Sequence, residues 1–198
     1  MNIDANELKR RTKLVIDEYE GIVPHHEAFY IHSIIYSADR ADKAFRRFER
    51  ASRNNGSAVV ITSAVHEALG HAAALSRFFW PSRDNDMANA RSTKLRRTFA
   101  LNGTSPLRNR RLRDSLEHFD ERLDRFLLVN DIGYFFPAPM IDNYTLADDS
   151  SGRIFKLVDP ANGYFVVLNE KYCFEPLVSE VRRVLASARK MSNNGRLP

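Results

Sequence analysis

The chain has 198 residues, 43% hydrophobic and 11% aromatic, which is enough apolar material for one packed domain and excludes a disordered polymer. The single cysteine, Cys173, excludes an intrachain disulfide framework and fits a reducing compartment; its neighbours Tyr172 and Phe174 suggest a core position. The net charge is +5, no run of 18 apolar residues is present, and the polar first residues lack a signal-peptide stretch, so a cytoplasmic protein without a membrane span is expected.

A first helix is predicted over Asp4–Tyr19, broken by Gly21 and Pro24. A long second helix runs from His25 or His26 to about Arg53, with Phe29, Ile34 or Ile35, Ala38, Ala41, Phe45 and Phe48 inward. Asn54-Asn55-Gly56 stops it. Ser57 caps a third helix to about Phe79, whose Ala64, Ala68, Gly70, Ala72, Ala73 and Ala74 permit close packing. After a loop over Pro81–Asp86, a fourth helix spans Met87 to Leu101 and ends at Asn102-Gly103. Ser105-Pro106 opens a fifth helix predicted to continue to Val129, with Leu112, Leu116, Phe119, Leu123 and Leu127 in one stripe.

The pattern then changes. Asn130–Ser151 reads as irregular. Arg153–Val158 and Tyr164–Leu168, separated by Asp159-Pro160-Ala161-Asn162-Gly163, read as a β-hairpin. Pro176 lies near the start of a last helix to about Met191, and Ser192–Pro198 reads as a frayed tail. The expected fold is mainly α: a helical bundle over residues 1–129, with an irregular segment, hairpin and closing helix over 130–198 packed on the same domain.

The charge is concentrated. Between Arg91 and Arg113 there is no acidic residue, while Arg91, Lys94, Arg96, Arg97, Arg108, Arg110, Arg111 and Arg113 are basic. Removing this run leaves the remainder net negative. Arginine supplies 23 of the 30 basic residues, and its planar fork suits phosphate oxygens. A solvated helix face is the competing interpretation, and both stand.

The run abuts Arg113-Asp114-Ser115-Leu116-Glu117-His118. A histidine titrating near neutrality can take a proton from a ribose 2′-hydroxyl or give one to a leaving oxygen. A fixed arginine can stabilise the charge that develops on phosphorus. No metal is then required. Residues five apart are separated by roughly 140° on a helix, so Arg113 and His118 do not stack, whereas Arg111, Ser115, His118 and Arg122 share a face.

With this Arg-x(4–6)-His pattern on a late helix of an α-bundle, the chain resembles the HEPN superfamily. The resemblance implies a bundle that dimerises to join two motifs across a cleft, which in many members is a metal-independent ribonuclease site. It implies catalytic roles for Arg113, Asp114 and His118; Arg111 meets the longer spacing, so the arginine remains open. Nucleic-acid contacts would fall to Arg91, Lys94, Arg96, Arg97, Arg108, Arg110 and Arg111. RNA, a second copy and an antitoxin protein are the implied partners, in a toxin or defence setting, with no cofactor. The alternative is a non-catalytic bundle of the same type that binds a protein or nucleotide.

Other patterns carry less. His66-Glu67-Ala68-Leu69-Gly70-His71 lacks the i, i+4 spacing of a zinc protease, and no metal ligand is assigned. In His25-His26-Glu27, the glutamate suits a helix start. Tyr134, Phe135, Phe136 and Tyr144 fit an aromatic cap on the bundle better than a base-stacking platform.

Overall fold

A computed structural model describes residues 3–197; the side chain of Arg110 lies outside the described set, as does Pro198. The chain is mainly helical, 65% of it, with a small sheet region and a closing helix near the C-terminus.

The helices are α1 (Ala5–Tyr19), α2 (Glu27–Arg53), α3 (Ala58–Phe79), α4 (Asp86–Thr98), α5 (Arg110–Glu117), α6 (Phe119–Val129) and α7 (Glu175–Asn194). Local chemistry sets several ends. The Asp4 and Ser57 side chains accept from the Asn6 and Val60 backbone amides, and Asn85 accepts from Ala88. At the end of α2 the Gly56 amide closes onto the Ala51 carbonyl at 2.8 Å. Pro24–His26 forms a short 3-10 turn before α2.

The core forms where α2 packs against α3 and α7. Ile31, Ile34, Ala38, Ala41 and Phe45 of α2 meet Ile61, Val65, Ala68, Leu69 and Ala72 of α3, and Leu177, Val181, Val184 and Leu185 of α7. The small residues of α3 thus serve a contact within the chain. By length and composition α3 could also cross a bilayer, and half of that stretch is buried in the bundle. Phe29, expected inward, is instead 72% exposed, because the buried stripe of α2 runs through Ile31 and Ile34.

The predicted fifth helix is three pieces. Ser105-Pro106 starts only a 3-10 turn, Pro106–Arg108. Asn109 then caps α5 by accepting from the Leu112 amide at 3.2 Å. The axis breaks at His118, which has φ −113° and ψ 40°. Three residues earlier the Ser115 hydroxyl donates back to the Leu112 carbonyl at 2.8 Å, a contact that bends helices. Leu112 and Ser115 are buried, whereas α6 has no buried residue.

The hairpin is present as β4 (Lys156–Asp159) against β5 (Tyr164–Val167), antiparallel, with Leu157 opposite Val166. The segment read as irregular contains β1 (Tyr134–Phe136) and β2 (Met140–Ile141), which run parallel to β3 (Gly152–Ile154) and β4 respectively. A further strand, β6 (Glu170–Cys173), completes the order β2-β4-β5-β6. The buried Asp159 carboxylate organises the hairpin turn, accepting from the Ala161 and Asn162 amides, the Asn162 side chain and the Tyr144 amide. Burial alone would raise this carboxyl; those hydrogen bonds outweigh it and hold it below its ordinary value. Gly163 supplies the φ of +66° that ends the turn.

Cys173 is exposed, not in the core, because alternation along β6 turns its neighbour Tyr172 inward instead. The aromatics after α6 do not form one cap. Tyr134 and Phe135 are exposed, Phe136 and Tyr144 pack on a small second core of Ile154, Leu157 and Val166, and Tyr144 stacks on Tyr164 at 4.0 Å. The tail is ordered further than expected: α7 continues to Asn194, and the buried Leu197 donates its amide to Glu27 at 3.1 Å.

Candidate functional site

Arg113, Asp114 and His118 do not converge on one surface. Arg113 is 6% exposed. Its Nη1 donates to the Trp80 carbonyl at 3.1 Å, its Nε lies 3.6 Å from Asp114, and that Nε has no acceptor among the described residues. His118 stands at the α5–α6 break with its side chain 60% exposed and Nδ1 at 3.9 Å from Glu121.

A different arginine is exposed, as His118 is. Arg111 has a side chain 81% exposed and approaches Glu170 at 3.5 Å. Arg122, one turn after His118, also pairs with Glu170. The Glu170 oxygen nearest Arg111 also accepts from the Tyr172 hydroxyl, and Arg122 holds the other oxygen. Burial first, and the Glu170 carboxylate second, push the Tyr172 hydroxyl up to about 12, so it remains protonated as a donor. Glu170 therefore gathers two cations and a phenol from α5, α6 and β6. Next to it, Arg122, Arg125, Phe126, Asn130 and Leu168 border a cleft of about 290 Å³.

The basic run is used largely inside the chain. At the end of α3, Arg91 donates to the Arg77 carbonyl, Arg96 to that of Phe79, and Arg113 to that of Trp80. These are the carbonyls that a helix C-terminus leaves unpaired, and cations are favoured there. Lys94 does the same at the end of α1, donating to the Tyr19 and Ile22 carbonyls and to the buried Glu27 at 3.1 Å. Arg97 pairs with Glu20, and Arg108 donates to the Gly103 carbonyl at 3.2 Å. Arg110 falls outside the described side chains. Sequence reasoning saw the clustering but missed Glu170 and Tyr172, which carry no local motif and reach the site only through strand pairing.

The histidines have structural surroundings. His66 packs edge-on against Phe165; burial, then the Lys156 charge, lowers its pKa below the ordinary value. His71 lies 3.9 Å from Glu67. Among the described residues no group of three metal-ligating side chains is present.

Beyond this site, apolar side chains gather on α6 and the segment after it. Leu127, Leu128, Val129, Ile132, Tyr134 and Phe135 are all exposed, Leu128 by 83%. Comparisons with protein-family models, with curated proteins and with solved structures find no match to this chain.

Proposed function

We propose that the protein is a HEPN-type, metal-independent endoribonuclease in which His118 moves the proton and Arg111, with Arg122, holds the scissile phosphate. The observation that carries this reading is that His118 and Arg111, both on the α5–α6 segment, have exposed side chains, 60% and 81%, with Arg122 following His118 by one helical turn. The geometry favours Arg111 over Arg113 as the working arginine, because a guanidinium buried on the Trp80 carbonyl cannot meet a phosphate without breaking that contact. The site is completed by a second copy docked along α6, which has no buried residue in its own chain and continues into the exposed Ile132, Tyr134 and Phe135. RNA is the substrate class, since its own 2′-hydroxyl supplies the nucleophile.

Purified protein incubated with mixed RNA in EDTA tests this. Cleavage lost in His118→Ala and in Arg111→Ala, with helix content unchanged, is the expected result. Intact RNA with the wild-type chain overturns it.

A second reading is a bundle of the same type that binds a partner without chemistry. The observation favouring it is that Glu170 already neutralises Arg111 and Arg122.

A further inference from the structure

A polar hollow of about 420 Å³ opens where α3 ends and α4 begins, within the range of small-molecule sites. We propose that it binds a small phosphate monoester, the phosphate held by Arg83 and Arg96 and a hydroxyl of the esterified part by Asp84. This goes beyond the ribonuclease reading and uses neither His118 nor Arg111, so either can fail without the other.

Arg96 is held in place by contacts to the Phe79 carbonyl, Ser92 at 3.1 Å and Thr93 at 3.0 Å. Its remaining N–H groups are available to an anion. Thr93 accepts from Arg96 through its oxygen, which leaves its hydroxyl proton to donate. Arg83 borders the same hollow, is exposed, and has no ion-pair partner among the described residues. Two cations and a hydroxyl donor among the lining residues match the charge and oxygen count of a phosphate monoester.

The other lining residues have a different character. Trp80 and Pro81 give the hollow apolar surface. Asp84, its carboxylate steadied by the Asn89 amide at 2.7 Å, is an acceptor suited to a sugar hydroxyl. Inorganic phosphate would leave these groups unused. The hollow is also too small for a structured RNA, and a carboxylate facing it disfavours a second phosphate.

Trp80 is the sole tryptophan, so its emission reports on the hollow directly. The full chain is titrated with ribose 5-phosphate, adenosine 5′-monophosphate, inorganic phosphate and ribose, with calorimetry in parallel. The expected result is saturable binding of at least one ester. Arg83→Ala should weaken that binding about ten-fold, the effect of losing one charge-assisted contact. Asp84→Asn should narrow the preference for ester over inorganic phosphate. A tighter nucleotide than sugar phosphate identifies a nucleotide as the source; the reverse identifies a phosphorylated sugar. No saturable signal or heat with any phosphate up to about 10 mM overturns the proposal, since a site weaker than that recovers less than about 3 kcal/mol. So does equal affinity for inorganic phosphate and both esters, or binding unchanged in Arg83→Ala.

Discussion

Arg113 and Trp80 are joined by a single hydrogen bond, 3.1 Å from guanidinium to backbone carbonyl, that ties α5 to the residue ending α3. This gives the motif arginine a structural role. Arg113→Ala would leave a partly buried carbonyl without its donor and open space beside Leu69, Leu107 and Leu112. A loss of about 2 kcal/mol is expected by chemical denaturation, with RNA cleavage per folded molecule retained. A fully stable but inactive Arg113→Ala would return this arginine to the catalytic group.

Glu170 pairs with both Arg111 and Arg122. Glu170→Gln frees Arg111 and Arg122 from their carboxylate. RNA affinity should rise, and its dependence on salt should steepen because more phosphate contacts become available. Binding isotherms at two salt concentrations check this; unchanged affinity and slope would exclude those arginines from the RNA surface.

Self-association should depend on α6. Light scattering at micromolar concentration should give a dimer for the wild type and a monomer for Leu128→Asp, with the same helix content. In addition, mixing inactive Arg111→Ala and His118→Ala chains should restore part of the activity if the two groups act across copies. A wild-type monomer with full activity contradicts the arrangement.

Acid should destabilise the fold through two separate groups. His66 has a lowered pKa in the folded chain, caused by burial and then by Lys156. Its contribution is complete above the ordinary histidine value near 6.5 and is lost as pH falls through the lowered folded value. Asp42 follows at lower pH. Burial alone would raise it, but hydrogen bonds from Arg182 and Arg46 outweigh that and hold it below the usual carboxylate range. Its contribution is complete above about pH 4 and disappears as pH drops through the folded value. Melting temperature against pH should therefore lose its upper acid step in His66→Phe and its lower one in Asp42→Asn.

Gly21 should not tolerate a side chain. Its φ is +84°, and an added Cβ would meet the Arg91 backbone nitrogen at 2.5 Å. Gly21→Ala combines a disfavoured conformation with a clash against α4, for a cost of at least about 2 kcal/mol. A thermal melt matching the wild type would show that the junction between α1 and α4 can move.

The helices with strong punctuation were readable from sequence because Asp4, Ser57 and Gly56 act through neighbours a few residues away. The break at His118 was not. Leu112, Leu116, Phe119, Leu123 and Leu127 keep helical spacing straight across it, and the bend arises where Ser115 bonds back and α5 settles on α3. The strand β6 was missed because Glu-Lys-Tyr-Cys carries little strand signal until β5 pairs with it. The basic run was ambiguous for a chemical reason: a phosphate oxygen and an unpaired helix carbonyl attract arginine through the same fork. Only the positions of the Arg77, Phe79 and Trp80 carbonyls distinguish the two uses. Counting around one continuous helix put Arg111, Ser115, His118 and Arg122 on a single face, but Ser115 is buried and the axis breaks at His118; Glu170 depended on contacts far along the chain.

The closing helix has a consequence for synthesis. Phe45 and Phe48 of α2 pack on the ring of Phe174, Asp42 waits for Arg182 across 140 positions, and Glu27 for Leu197 across 170. A nascent chain makes α2 early and its covering last. The α2–α3 hairpin can form locally, but an aromatic face stays open until the ribosome has passed residue 174. Folding to completion is therefore set by long-range closure rather than by helix formation. A truncation before α7 would leave this face uncovered and prone to aggregate.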